Sequence, residues 1–179
     1  MVHSTRHFTL LAAAVFATAI GNSGRSLAAE ASYEMTAYVE SLSGRRAASG
    51  DYGGAIEYAS RRAAVRDPET RLIESTSLCV AYTMTGSFDE AHAACEDALE
   101  SAQRVDDRAS HMTFRSESET ARAMSNRGVL KAVTGDMAGA EDDFRAASTM
   151  SGGSNASGRN LAHLEGAVAD RLAMAQSSE

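Results

Sequence analysis

One short pattern occurs three times in this chain and constrains its fold more than any other feature. Each copy is a glycine followed five residues later by an alanine, in a background that favours helices. The copies are Gly50 with Ala55, Gly86 with Ala91, and Gly135 with Ala140. An internal repeat indicates helical units that cannot bury their apolar faces alone, so the units have to stack. The repeat therefore predicts an all-α fold of antiparallel helix pairs, each joined by a glycine turn.

The composition supports helices over strands, since the 179 residues include one proline and no tryptophan. Tyrosines and Val39 alternate over residues 33–39, but a helix is the favoured prediction there as well. Residues 151–160 are rich in glycine and serine, which predicts a flexible linker. Apolar residues at helical spacing follow it and predict a capping helix over 161–176. They are Leu161, Leu164, Val168 and Leu172.

Residues 1–28 have the features of a cleaved signal peptide. Arg6 precedes an apolar run over 9–20, and Ser26-Leu27-Ala28 provides the small residues that a signal peptidase reads. The run is shorter than the ~20 apolar residues that a membrane-spanning helix needs. We therefore expect an exported bacterial protein of the periplasm, without a stable membrane span. The net charge of −7 argues against nucleic acid as a partner.

No group of residues predicts catalysis. His92, His111 and His163 stand alone, without a second histidine at metal-binding spacing. Neither a glycine-rich phosphate loop nor a nucleophile motif occurs. The acidic runs at 106–107 and 141–143 are typical of solvated helix faces, with calcium binding as the alternative. We expect no catalytic, cofactor-binding or metal-binding residues, and therefore no enzyme.

The second and third copies carry a family resemblance. In the third, Asn126-Arg127-Gly128 stands in the first helix, Gly135-Asp136 at the turn, and Ala140, Phe144 and Ala147 along the second helix. The matching residues of the second copy are Leu78, Cys79, Tyr82, Ala91, Cys95, Ala98 and Leu99. These positions resemble the tetratricopeptide repeat family, whose unit is two antiparallel helices in about 34 residues.

The resemblance implies a short solenoid of three stacked units over residues 36–150, followed by the linker and the capping helix. The units are placed at 36–68, 72–105 and 116–150. The first copy departs from the family pattern, because Arg46 stands where a large apolar residue is expected. Lys131 is a similar departure in the third copy. Both side chains can lay their stems along the core edge and keep their charge in water.

Cys79 and Cys95 lie eight residues on either side of Ser87, at the turn of the second unit. In an antiparallel hairpin such residues come opposite each other, roughly 12 Å along each helix. An exported protein meets an oxidising compartment, where facing thiols tend to pair. We therefore predict a Cys79–Cys95 disulfide. The alternative is two buried free thiols that act as small apolar side chains.

The resemblance also implies a concave groove lined by the first helix of each unit. Carried onto this chain, the lining residues are Ile73, Thr76, Val80, Thr83, Met84, Arg122, Ser125, Asn126, Val129 and Val133. Such a lining suits an extended or helical peptide, and Arg122 could hold a carboxylate. The alternative for each residue is ordinary packing against the capping helix.

The sequence thus predicts a non-enzymatic adaptor or scaffold of the bacterial cell envelope, with a protein or peptide as its partner. The alternative is a structural repeat protein that self-associates into a homo-oligomer through an uncovered edge of the array. An exposed apolar patch would be the mark of that edge.

Overall fold

The computed structural model describes residues 33–109, 119–151 and 156–177. Over these ranges the regular structure is entirely helical, which confirms the all-α prediction. The helices are α1 (Leu42–Ala48), α2 (Tyr52–Ser60), α3 (Pro68–Thr85), α4 (Phe88–Ala109), α5 (Glu119–Thr134), α6 (Met137–Met150) and α7 (Ala156–Gln176). None of the helices in the described ranges has the length and apolar character needed to cross a membrane. The predicted signal segment 1–28 and His111 lie outside these ranges.

The three glycine turns have one geometry. Gly50, Gly86 and Gly135 have φ angles of 83°, 77° and 96°. In each turn the residue after the glycine donates its N–H to the carbonyl five residues earlier, as Asp136 does to Lys131 at 2.9 Å. A positive φ costs glycine little because it has no Cβ. The predicted turns between α1 and α2, α3 and α4, and α5 and α6 are therefore confirmed.

Small residues lie where the paired helices touch. Ala55, Ala91 and Ala140 are fully buried and each belongs to an apolar cluster of the core. Gly128 on α5 faces Phe144 on α6, and a Cβ at Gly128 would lie 2.6 Å from a carbon of that ring. The close approach of these two helices therefore requires glycine at this position.

The order of helix packing is regular. Each helix contacts the next one along the chain, from α1 and α2 through to α6 and α7. The odd-numbered helices also contact one another in order, α1 with α3, α3 with α5, and α5 with α7. The described even-numbered helices make no comparable contacts among themselves. The odd-numbered helices therefore lie next to one another along one side of the described helices.

A disulfide joins Cys79 on α3 to Cys95 on α4. Both cysteines are buried, in the cluster that also contains Leu78, Ala91 and Leu130. The prediction of a bridge is confirmed, and the alternative of two free thiols is wrong. The equal distance of each cysteine from the turn indicates that the two residues come opposite each other, as the structure has them.

The two basic departures from the family pattern are accommodated in the same way. Arg46 donates from Nη1 to the carbonyl of Gly54 at 2.9 Å. Lys131 lies 3.4 Å from the carbonyl of Gly139 through its Nζ atom. Each cation therefore bonds to a carbonyl of the second helix of its pair, and Lys131 also forms an ion pair with Asp143 at 2.9 Å.

The helix expected over residues 33–39 is not formed. Residues 33–38, which we call the strap, are neither helix nor strand. A turn closed by the Ser41 N–H and the Tyr38 carbonyl, 3.0 Å apart, leads from the strap into α1. The helix prediction is wrong because the backbone groups of the strap bond to side chains of α5 and α7 instead of to one another.

The first helix pair spans 42–60 rather than the predicted 36–68, and the bounds of the last helix and of the second pair also differ from the predicted ones. The last helix begins at Ala156, so the final residues of the predicted 151–160 linker are helical, and residues 152–155 lie outside the described ranges. Along α7 Leu164 is buried, but Val168 and Leu172 are exposed, so only the first half of the predicted apolar face covers the core. The second helix pair spans 68–109 rather than 72–105. It begins earlier than predicted because the Asp67 carboxylate caps α3 by accepting the Thr70 N–H at 2.9 Å.

Candidate binding groove

The strap lies on the surface that the sequence predicts to be the groove. Arg122 places its guanidinium carbon 4.8 Å from the centre of the Tyr38 ring, and Asn126 bonds to Thr36. Met35 packs against the clusters that contain Val80 and Val129. A segment of the chain itself therefore covers part of the surface predicted for a partner.

Two asparagines hold the strap by its backbone. The Asn126 side chain accepts the Thr36 N–H through Oδ1 and donates from Nδ2 to the Thr36 carbonyl, both at 2.8 Å. Asn160 bonds to Glu34 in the same way, at 2.7 Å and 2.8 Å. Both side chains, which we call the asparagine pair, are 1% exposed. A side-chain amide carries one acceptor and one donor group, which match the N–H and C=O of a single residue.

The spacing of these bonds defines the conformation of the strap. In an extended backbone, residues i and i+2 direct their N–H and C=O groups to the same side. Glu34 and Thr36 both face the asparagine pair in this manner, so the strap is extended between them. On the strap these bonds involve only backbone atoms, so the bonds themselves place little restriction on which side chains stand at positions 34 and 36.

Met35 is the central apolar contact of the strap. It is half-buried and packs against three of the four apolar clusters of the core. Those clusters draw residues from α1 through α7, so Met35 lies where consecutive helix pairs meet. An unbranched thioether side chain fits such an irregular space well. Ala37 adds a smaller contact with the cluster that contains Ala47 and Ala55.

An aromatic residue and an ion pair fix the first end of the strap. The Tyr33 ring stacks on Phe144 with centroids 5.9 Å apart and meets the edge of His163 at 4.7 Å. Arg159 binds the Glu34 carboxylate with two bonds of 2.7 Å and 2.6 Å. These bonds lower the pKa of Glu34. The pair is exposed, so it orients the strap more than it stabilises the fold.

Tyr38 fixes the other end. Its hydroxyl donates to the Glu119 carboxylate, and the Arg122 guanidinium lies over its ring. Burial, together with the negative charge of Glu119, raises the pKa of Tyr38 well above its ordinary value. Arg122, predicted to hold a partner's carboxylate, lies 3.6 Å from the carboxylate of Glu119.

The ten predicted groove residues divide by burial. Thr76, Val80, Thr83, Ser125, Asn126 and Val129 are buried, Ile73, Arg122 and Val133 are half-buried, and Met84 is exposed. Arg122 and Asn126 contact the strap directly. Ser125 lies 3.5 Å from Asn160 Nδ2, whereas the Thr83 hydroxyl bonds to the Cys79 carbonyl within its own helix.

Sequence reasoning missed Asn160 and the strap. Asn160 was placed in the linker, yet it follows Asn126 by 34 residues, which is about one unit of the repeat family. That spacing could have identified it as an equivalent position. The strap had no comparable signal, because its partners lie 90 and 126 residues away in sequence.

One residue of the acidic run 141–143 takes part in a partly buried charge cluster, whereas its neighbour Asp142 is exposed as predicted. Asp143 is 5% exposed and lies 2.8 Å from Arg127 and 2.9 Å from Lys131. Arg127 also binds Glu96 at 2.9 Å, and its hydrogen bonds to Asp143 contribute most to raising its pKa. The cluster connects α4, α5 and α6. Asp106, from the other acidic run, accepts the N–H groups of Glu119 and Thr120 at the start of α5.

In the described ranges no cluster of histidine, cysteine, aspartate or glutamate is arranged to hold a metal ion. Comparison with known proteins gives no match to a family model, to a curated protein or to a solved structure. The likeness to the tetratricopeptide repeat family therefore rests on the residues themselves.

Proposed function

We propose that this protein is a non-enzymatic binding module of the bacterial cell envelope whose groove takes an extended segment of a protein partner. The observation that carries the proposal is the asparagine pair, which bonds to the backbone of alternate residues in an extended segment. In one common mode of binding extended peptides, hydrogen bonds to the peptide backbone are combined with apolar contacts to the alternate side chains.

A short solenoid of the tetratricopeptide type is the architecture we propose around this groove. Three features support it: the shared geometry of the three glycine turns, the contacts between successive odd-numbered helices, and the 34-residue interval between Asn126 and Asn160. In this arrangement α7 is the first helix of a fourth unit, and Asn160 is the equivalent of Asn126.

We propose an exported, periplasmic location. The Cys79–Cys95 disulfide supports it, because such bonds persist in oxidising compartments and are rare in the cytosol. The signal-peptide features of residues 1–28 are the second line of support.

One observation favours the alternative of self-association. The outer half of α7 exposes Val168, Leu172 and Met174, the last two by 60% and 70%. An apolar edge of this kind is a common site of contact between copies. Sedimentation at increasing protein concentration would detect the resulting homo-oligomer, and Leu172→Glu should abolish it.

The groove proposal can be tested with selected peptides. Random peptides are displayed, selected on the full chain and resynthesised with one backbone N–H at a time replaced by N-methyl. We expect two sensitive positions, two residues apart, each losing at least about tenfold in affinity because a buried acceptor loses its donor. The N-methyl group on the residue between them is the matched control.

The side-chain amide signals of Asn126 and Asn160 in nuclear magnetic resonance spectra should shift when the peptide binds. Peptides that tolerate N-methylation at every position, or that leave both amide signals unchanged, would rule out recognition by the asparagine pair. An N-methyl scan is used here because substitution of Asn126 would weaken the strap and the peptide together.

A further inference from the structure

The strap already makes the bonds that the proposed function assigns to a partner. The side-chain amides of Asn126 and Asn160 are both hydrogen-bonded, through oxygen and nitrogen, to the backbone of the strap. Met35 of the strap packs against three core clusters. A partner that uses the same groups has to displace the strap first. The strap joins α1 through the turn at 39–41, so its effective concentration at the groove is high, about millimolar or above.

The contacts of the strap also describe what fits the groove. The backbone is bonded at Glu34 and Thr36, whereas the side chains that make contacts are an aromatic ring at 33, a methionine at 35, an alanine at 37 and a tyrosine at 38. The position of Ala37 lies beside a cluster of alanines and favours a small residue. The position of Glu34 faces Arg159 and favours an acidic one.

Displacement needs few changes elsewhere in the chain. Beyond the contacts described above, the strap bonds to the turn that follows it, where the Ser41 N–H and hydroxyl both donate to the Tyr38 carbonyl, at 3.0 Å and 2.9 Å. Val39 and Glu40 are exposed, whereas Ser41 is half-buried and caps α1 by accepting the Gly44 N–H at 2.8 Å. The backbone can therefore turn at Val39 and Glu40 while Ser41 stays in place at the start of α1.

We infer that the strap competes with the partner for the groove and that the partner is an extended peptide with the same pattern of six residues as positions 33–38. In order, these are an aromatic residue, an acidic residue, a methionine or similar unbranched apolar residue, any residue, a small residue and a tyrosine. This inference rests on the proposed function and adds the chemistry of the partner and the regulation of the site. The chain binds such a partner only when the partner outcompetes residues 33–38.

The test weakens the strap without altering the groove. Thr36→Pro removes the N–H that bonds to Asn126 and retains an extended backbone. Val39→Pro is the matched control, because Val39 lies outside the bonded residues at the second position of a turn, where proline is favoured. The probe is a fluorescent synthetic peptide with the sequence of residues 31–41, and its anisotropy is followed as each full-length chain is added.

We expect the Thr36→Pro chain to bind the peptide about tenfold more tightly than the natural chain, since the strap has lost one hydrogen bond to a buried acceptor. The Val39→Pro chain should bind like the natural one. A peptide with proline in place of Thr36 should bind the Thr36→Pro chain at least about tenfold more weakly than the unmodified peptide. Glu34→Pro, which removes the bond to Asn160, provides a second weakened chain should Thr36→Pro not fold.

Equal affinities for the natural and weakened chains would overturn the inference. Selected peptides with the N-methyl pattern described above would in that case leave the proposed function standing, so the two failures are distinguishable. A concentration-dependent dimer of the natural chain that is absent in Thr36→Pro would also overturn it, because the strap of a second copy would then be the occupant.

Discussion

Substitution of Asn126 tests the bonds between strap and groove through the stability of the chain. Asn126→Ala removes two hydrogen bonds and leaves the N–H and C=O of Thr36 without their partner. Each bond contributes about 1–1.5 kcal/mol, so together they contribute about 2–3 kcal/mol. Alanine is the better helix former by about 0.5 kcal/mol, which offsets part of the loss. We expect a net decrease of about 2 kcal/mol in the free energy of unfolding.

The assay is urea unfolding of the full chain, together with hydrogen exchange of the Thr36 amide. The midpoint should fall while the slope stays the same, and exchange at Thr36 should accelerate. Gln103→Ala is the matched control: it removes an exposed amide from α4 and should change stability by less than about 0.5 kcal/mol. A loss below about 0.5 kcal/mol for Asn126→Ala, with Thr36 exchange unchanged, would refute the role of this bond pair.

Asn126→Asp sharpens the test, because it keeps the acceptor for the Thr36 N–H and loses the donor for the Thr36 carbonyl. The ionised carboxylate then faces a carbonyl oxygen in a buried position. A protonated carboxyl group could donate to that carbonyl. The destabilisation by Asn126→Asp relative to Asn126→Ala should therefore diminish as the pH falls, and the same urea assay at several pH values would measure it.

Three further predictions concern the fold around the groove. Reduction of the Cys79–Cys95 bridge, which spans a sequence separation of 16, should cost about 3 kcal/mol on the chain-entropy model, and an unchanged urea midpoint under reductant would contradict it. Gly128→Ala should destabilise the chain by about 1–3 kcal/mol, because its Cβ would meet the phenylalanine ring of α6. Gly166→Ala, whose Cβ would meet nothing within 4 Å, should stabilise the chain by about 0.5–1 kcal/mol. Calorimetry of both variants separates the effect of packing from that of helix propensity. The folded state raises the pKa of Tyr38 above its ordinary value near 10, so the contribution of Tyr38 to the free energy of unfolding is fully present below pH 10 and is lost as the pH rises further. Tyr38→Phe should reduce this loss of stability at alkaline pH in unfolding experiments. An unchanged dependence of stability on pH would contradict the prediction.

The features that were predictable from the sequence depend on residues close to one another along the chain. The turns at Gly50, Gly86 and Gly135 were predictable because a helix that must reverse within a few residues needs a backbone with positive φ. The bridge between Cys79 and Cys95 was predictable because the turn itself fixes which residues of an antiparallel pair come opposite.

The start of α7 was not predictable from the same signals. Glycine and serine near residue 155 indicate a linker, yet Ser157 and Asn160 are helical and buried. Their burial depends on contacts of α7 with α5 and α6, which local composition does not describe. Likewise, Asp143 belongs to an acidic run typical of a solvated face, and only the packing of α5 on α6 brings Arg127 and Lys131 to it.

The amino-acid sequence alone therefore determined the helical units, their turns and the bridge, since each depends on residues within one hairpin. Only the tertiary structure decided what lies in the groove. The strap has the composition of either a helix or a strand, and its backbone is satisfied by Asn126 and Asn160, which approach it only after the helices have packed. The two asparagines leave a trace in the sequence through their 34-residue interval, but the strap leaves none, because its bonding partners lie 90 and 126 residues away and do not constrain its neighbours.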